Sequence, residues 1–344
     1  MKAALALIIV LSHHGYWFGG QEQTITAQWP VAATMPAADL HWDLLLGQIA
    51  IASGQIPLPA DGSPATIRLQ LPTARARTLL RWEYHLAARG GSDELATGGA
   101  PVHLFPPIQT ADLAAAVENK KLYVLDDPDG LPAALTAAKI KFTPLQTFTD
   151  LQLQRADIIL IGPDQLPESP FPQSALQAQA QAGAQVLILS QRQTRTVCGY
   201  NVGRRPAAPT LAWRYDHPLF DQLDADDWKS CLCEGEPDLR PIQLPADEPA
   251  LELAYWPPEI PTPAPVPIDA LIAVKAVGAG RIVLCQLPFA DWTTDPRSRF
   301  FLYNALNYLC TRPEPTPRPS ERPTTRPTAP VAMPTINISP EGQP

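Results

Sequence analysis

From residue 24 to about residue 105, apolar and polar side chains alternate with a period of two. Ile25, Ala27 and Trp29 alternate with Thr24, Thr26 and Gln28, and Ile67, Leu69 and Leu71 with Arg68 and Gln70. The clearest run sets Leu80, Trp82, Tyr84 and Leu86 against Arg81, Glu83 and His85. A strand with this period turns one face to a core and the other to water, so the pattern predicts two antiparallel sheets packed face to face. Ala60-Asp61-Gly62-Ser63-Pro64 and Arg89-Gly90-Gly91-Ser92 supply turns at strand-like spacing. Lys2 and the apolar residues 3–11 have the charge and length of a signal peptide, but no small-x-small cleavage site follows Leu11. The segment therefore predicts a buried first strand, with a cleaved signal as the alternative.

After Pro106-Pro107 the period changes. Lys121-Leu122-Tyr123-Val124-Leu125-Asp126, Asp157-Ile158-Ile159-Leu160-Ile161-Gly162 and Val186-Leu187-Ile188-Leu189-Ser190 are short, continuously apolar runs. Helical stretches at 131–138 and 174–182 separate them, the second ended by Gly183. Continuous apolar strands alternating with helices predict a parallel sheet covered on both faces. Residues 270–277 and 281–287 predict a hairpin through Gly278-Ala279-Gly280, followed by a helix over 295–309. The proline-rich, poorly periodic stretch 231–267 predicts an irregular insertion. The domain reading is an immunoglobulin-like β-sandwich over 1–106, a linker at 107–117, and a three-layer, flavodoxin-like α/β domain over 118–312.

Composition adds a tail and removes some functions. Of 41 prolines in 344 residues, the segment 313–344 holds a dense share and almost no large apolar side chains, which predicts a disordered tail. A net charge of −8 without a basic stripe argues against a nucleic-acid partner; Arg204-Arg205 reads as a solvated loop. No apolar run is long enough for a transmembrane helix. Five cysteines are odd in number and too sparse for a disulfide framework, and Cys285 and Cys310 read as small core residues. Cys231-Leu232-Cys233 is too tightly spaced for a zinc knuckle and has no second pair, and Asp224, Asp226 and Asp227 read as a solvated acidic loop. No cofactor fingerprint and no metal site is expected. Asn337-Ile338-Ser339 matches a glycosylation sequon.

The run Gly280-Arg281-Ile282-Val283-Leu284-Cys285-Gln286-Leu287-Pro288-Phe289-Ala290, with the helix after it, resembles the closing strand and helix of class I glutamine amidotransferase-like domains. In that family a strand ending in Gln-Phe-His-Pro-Glu delivers the His and Glu of a Cys-His-Glu triad. Those positions fall here on Pro288 and Ala290, neither of which can accept or relay a proton. The resemblance puts Ser190 where the family has its thiolate, and a serine there needs a general base. Gln191-Arg192-Gln193 also lacks the small residues of a nucleophile elbow. His217, in Tyr215-Asp216-His217-Pro218-Leu219-Phe220, lies in a segment that resembles one found in amidotransferase-like domains attached to glycosidases and in ThuA-like proteins, but it reads as a loop-starting histidine that hydrogen-bonds backbone, since a lone histidine is rarely enough for acid–base work.

In the amino-terminal part, Tyr16-Trp17-Phe18-Gly19-Gly20, Leu40-His41-Trp42-Asp43-Leu44 and Ser53-Gly54-Gln55-Ile56 resemble the accessory sandwich domains of glycoside hydrolase family 2. Trp42 and Trp82 read as core residues, with an exposed sugar platform as the alternative. Asp126-Asp127 sits where doubly wound sheets bind ligands, although Asp127-Pro128-Asp129-Gly130 is an ordinary turn-forming run. Together these resemblances imply the non-catalytic portion of a bacterial glycoside hydrolase related to β-galactosidases, a pseudoenzyme domain joined to a sandwich. The catalytic (β/α)₈ barrel of such enzymes, about 250 residues long, has no room here. The chain is then expected to be a fragment, a split subunit or a stand-alone descendant, with a glycosidase catalytic domain or a carbohydrate as partner. The rivals are a small-molecule hydrolase using Ser190 with His217, and a surface protein that binds glycans.

Overall fold

The structure is a computed structural model and describes residues 8–11, 15–28, 37–89, 94–193, 195–203, 210–224, 227, 240–246, 250–256, 267–289, 291–311 and 336–337. The chain divides into two compact units between Ile108 and Gln109, and both are rich in strand.

The amino-terminal unit contains β1 (Ile8–Leu11), β2 (Tyr16–Phe18), β3 (Glu22–Gln28), β4 (Ala38–Leu46), β5 (Ile49–Leu58), β6 (Ala65–Gln70), β7 (Thr78–Ala88) and β8 (Glu94–Phe105). One sheet has the order β1-β3-β6 and the other β2-β8-β7-β4-β5. Pairing is antiparallel except for β2, which runs parallel to β8. The period-two pattern explains why the sheets meet. Ile25, Ala27, Ile67 and Leu69 of the smaller sheet share one apolar cluster with Leu40, Trp42, Leu44, Leu80, Trp82, Leu86 and Val102 of the larger. Trp42 and Trp82 stack within it, ring centroids 4.9 Å apart, and are core residues rather than a surface platform. The apolar stretch near the amino terminus provides β1, but as an edge strand rather than a buried one, with Val10 exposed and Ile9 and Leu11 half-buried; residues 1–7 and Trp29 lie outside the described residues.

The second unit opens with α1 (Thr110–Val117), β9 (Leu122–Leu125), α2 (Leu131–Ala137), β10 (Thr143–Pro144), α3 (Asp150–Leu153), β11 (Ile158–Ile161), α4 (Pro170–Gln181) and β12 (Gln185–Ile188). It continues with β13 (Thr196–Val197), β14 (Tyr200–Val202), β15 (Thr210–Trp213), a 3₁₀ turn (Pro218–Phe220), β16 (Ile242–Leu244) and β17 (Leu251–Trp256). β18 (Ile268–Val277), β19 (Gly280–Cys285), α5 (Pro296–Cys310) and β20 (Ile336–Asn337) complete it. The order β10-β9-β11-β12-β19 is parallel throughout, after which β18, β16, β14 and β13 extend the sheet with antiparallel pairing. β11, β12 and β19 are buried along their whole length, as their unbroken apolar runs require. The β18–β19 hairpin turns through Gly278-Ala279, with Gly278 at φ 60°. A Cβ on Gly280 would stand 2.1 Å from Ala184 O and 2.5 Å from Ala180 O, so only glycine lets β19 begin this close to the last turn of α4 and the start of β12.

Several expectations need correction. The segment 107–117 is not a bare linker: α1 occupies most of it, buries Leu113 and Val117, and packs on α5. The stretch 231–267 is not wholly irregular, because β16 and β17 form within it and both pair with β18. Tertiary pairing with a long neighbouring strand supplies an order that local periodicity does not signal. Of the expected solvated acidic loop, Asp224 is exposed as read, Asp226 lies outside the described residues, and Asp227 departs from the expectation. Asp227 is buried, its carboxylate accepts from Asp224 N at 2.7 Å, and Asp227 N donates to Asp224 Oδ1 at 3.4 Å. Of the proline-rich tail, Ile336 and Asn337 pair with Leu211 and Thr210, and the rest lies outside the described residues. So do Arg204, Arg205, Cys231, Cys233 and Ala290. No helix among the described residues is long and apolar enough to cross a membrane.

The stacked indoles are the largest apolar investment of the first unit. Trp82→Ala is expected to lower unfolding free energy by about 3–5 kcal/mol, read from the urea midpoint. Leu79→Ala, on a side chain that is 59% exposed, should stay within about 0.5 kcal/mol of the parent.

Candidate functional site

In open parallel sheets, ligands lie beyond the carboxyl ends of the strands, at the point where strand order reverses. Here that point falls between β9 and β11, and the strand exits carry Asp126, Gly162, Ser190 with Gln191, and Gln286. Asp126 fills the crevice itself. Its Oδ2 accepts from Leu131 N, in the first turn of α2, at 2.7 Å. A Cβ on Gly162 would lie 2.0 Å from Asp126 Oδ1, and one on Gly130 2.3 Å from Oδ2. The carboxylate thus occupies the space that side chains at both glycines would need. Burial pushes its pKa upward, opposed by the hydrogen bonds from the Leu131 and Asp127 backbones.

Gln191 closes the neighbouring exits. It is wholly buried, with Oε1 accepting from Leu166 N at 2.8 Å and Nε2 donating to Gly162 O at 2.8 Å and Leu189 O at 2.7 Å. Its backbone N–H donates to Gln286 Oε1 at 3.1 Å, joining the β12 and β19 exits. Asp164 N donates to Ser190 O at 2.9 Å. The Asp164 carboxylate accepts from Arg192 Nε at 2.9 Å and Nη2 at 2.8 Å. The loops after β11 and β12 are therefore tied to each other. Surface grooves of about 670, 210 and 540 Å³ are lined elsewhere, by residues of α3 and α4, by the amino ends of the parallel strands, and by the outer face of β7 and β8.

Ser190 and His217 are not brought together. Ser190 is buried at the carboxyl edge, directly before Gln191. His217 stands at the opposite edge, its ring 4.8 Å from that of Tyr308 in the last turn of α5. Arg281 also lies over the Tyr308 ring, its guanidinium carbon 4.1 Å from the centroid. Arg281 pairs with Gln185 at the start of β12, five residues before Ser190, which at about 3.3 Å per residue is roughly 16 Å along the strand. His217 Nδ1 accepts from Leu219 N at 3.3 Å and caps the 3₁₀ turn. Burial, with Arg214 and Arg281 adding to it against Asp216, lowers its pKa to about 4. Asn304 of α5 donates to Leu219 O and Asp221 O at 3.3 and 2.7 Å and fixes the same turn.

Pro288 follows the β19 exit. Burial raises the thiol pKa of Cys198 and of Cys285 to about 12, which makes both poor nucleophiles. Sequence reasoning missed Gln191, Gln286 and the buried Asp295–Arg297 pair, in which Asp295 caps α5 by accepting from Arg297 N at 2.8 Å. For Gln286 the available signal was a polar residue directly after an unbroken apolar strand.

No family model and no curated protein matches the chain. Among solved structures, it is similar to a family 76 glycoside hydrolase from a bovine Bacteroides thetaiotaomicron strain, at 12% identity and a TM-score of 0.22, covering 31% of this chain and 24% of that one. It is also similar to a CARDB domain from Pyrococcus furiosus in complex with di-metal ions, at 10% identity and a TM-score of 0.21, covering 29% of this chain and 86% of that one. The chain thus spans about a quarter of the length of the hydrolase. Both scores lie well below those of proteins that share a fold.

Because His217 is held neutral, the unfolded chain takes up its proton first on acidification. This contribution to stability is complete above pH 6.5 and is lost as pH falls from 6.5 toward about 4. His217→Asn, which keeps a capping acceptor, should flatten the melting temperature over that window relative to the parent.

Proposed function

We propose that this chain is a non-catalytic accessory protein of a carbohydrate-active, glycosidase-like assembly. In this reading an immunoglobulin-like sandwich is joined to a degenerate glutamine amidotransferase-like domain of flavodoxin-like topology. The observation that carries the non-catalytic part is the closed carboxyl edge. Gln191 spends its whole side chain on Leu166, Gly162 and Leu189, and Asp126 fills the switch point. A catalytic site needs a reacting group within reach of a base and a space for substrate. At this edge the side chains of Gln191 and Asp126 are bound to backbone and that of Asp164 to Arg192 instead, while Gln286 Nε2 is buried without a partner among the described residues.

The topology reading is supported by strand order. Numbered along the chain, the five parallel strands run 2-1-3-4-5, the order of flavodoxin-like sheets. The sandwich reading is supported by two sheets sharing one core of alternating residues. The carbohydrate context rests on the sequence resemblances around Tyr16, Leu40, Ser53 and His217, and it implies a glycosidase catalytic domain or a glycan as partner. The hydrolase alternative would require Ser190 and His217 to meet, and they occupy opposite edges of the sheet. The glycan-binding alternative loses its aromatic platform, because Trp42 and Trp82 are buried.

Purified full-length protein is expected to show no glutaminase or esterase turnover and no labelling by a serine-directed probe. Ser190→Ala should change nothing beyond stability. Turnover that disappears in both Ser190→Ala and His217→Ala would establish the hydrolase instead. Saturable binding to a glycan array, without any catalytic partner, would favour the surface-binding reading.

A further inference from the structure

On the outer face of the larger sheet in the first unit, two histidines stand side by side. His41 of β4 and His85 of β7 are direct cross-strand partners, and their rings stack with centroids 4.5 Å apart and planes 3° from parallel. His85 is exposed and His41 half-buried. The next outward pair along the same two strands is Asp43 opposite Glu83. A side chain two residues on shares the same face, so these carboxylates lie about 6.6 Å further along the strands. Glu83 is ion-paired with Arg81, and Asp39 with Arg89 at 3.1 Å. The opposite face of these strands is the Trp42–Trp82 core, so the backbone that presents the imidazoles is anchored.

We infer that His41 and His85 form a two-imidazole site for a borderline divalent cation of the Zn²⁺, Cu²⁺ or Ni²⁺ class. Imidazole nitrogen prefers these ions to Mg²⁺ or Ca²⁺, which take oxygen ligands. Nitrogen–metal bonds of about 2.0–2.1 Å at tetrahedral or square geometry place the two nitrogens roughly 3–3.4 Å apart. Rings with centroids 4.5 Å apart reach that separation through small rotations about their soft terminal torsions. Both nitrogens then approach the ion from one side, and water completes the coordination. Asp43 supplies a carboxylate that accepts a hydrogen bond from such a water and favours the cation electrostatically. No set of three His, Cys, Asp or Glu side chains among the described residues forms a preassembled metal cage, which is why the site is a two-ligand one. It is independent of the accessory role proposed above.

The test is titration of the full chain with Zn²⁺ and Cu²⁺ at neutral pH by calorimetry, with histidine ring resonances followed by NMR. One ion per chain should bind, and the His41 and His85 rings should shift together. Binding should be lost in His41→Ala and in His85→Gln, weakened in Asp43→Asn, and retained when His13 and His14 are both replaced by alanine. Both histidines face outward, so unchanged tryptophan fluorescence and melting temperature verify folding of each variant. Binding that survives both His41→Ala and His85→Gln, or that disappears with His13 and His14, overturns the site. So does the absence of saturable binding by the folded parent, which would leave the pair as packing on the sheet surface.

Discussion

The second unit depends on a single constraint: strands buried on both faces must end with their backbone polar groups paired. Once β9, β11, β12 and β19 leave the sheet, their exits pass through apolar surroundings, where an unmatched N–H or C=O costs about 1–3 kcal/mol. Gln191 meets that constraint with one side chain that bridges the exits of β11 and β12, while its own N–H reaches the Gln286 side chain at the exit of β19. Asp126 does the same at the β9 exit by capping α2. The same side chains that make the edge stable also fill it.

The amino edge is organised by a charge instead. Arg281 is almost wholly buried, donating to Gln185 Oε1 at 2.6 Å and to Thr311 O at 2.6 Å while lying over the Tyr308 ring. A cation beside the last carbonyls of α5 is favoured by the helix dipole, and it fixes the end of the helix against the start of β19. Its Nη1 is buried without a partner among the described residues, so aromatic contact and dipole bear part of the desolvation cost. The same charge helps to hold His217 neutral. His217 is thereby a cap for the turn at Pro218–Phe220, the backbone-bonding role the sequence favoured for it over acid–base work.

The first unit shows a different division of labour between faces. Alternation sends Trp42, Trp82 and Leu86 into the shared core and leaves His41, Asp43, Glu83 and His85 on the outside. Register then decides which outward residues become neighbours. Pairing of β4 with β7 sets His41 opposite His85, although 44 residues separate them in the chain, a distance no local motif can bridge.

The sequence by itself determined the strands whose patterns are strong. The alternating runs around Ile25, Ile67 and Trp82, the apolar runs of β9, β11 and β12, and the β18–β19 hairpin with its following helix all appear at the positions their patterns indicate. Each of these is a local property: burial on one face or two writes itself into the period of a short segment. Pro288 was legible in the same way, as a residue that cannot serve as a base. Only the tertiary structure decided the rest. The strands β16 and β17 exist because β18 offers a partner, and the helix at Thr110–Val117 is held by α5. Gln191 became the plug of the carboxyl edge, and Ser190 was parted from His217, through contacts between residues distant in sequence. Hydrogen-bond closure and cross-strand register are set by three-dimensional neighbours, and a single sequence carries no record of which neighbours those are.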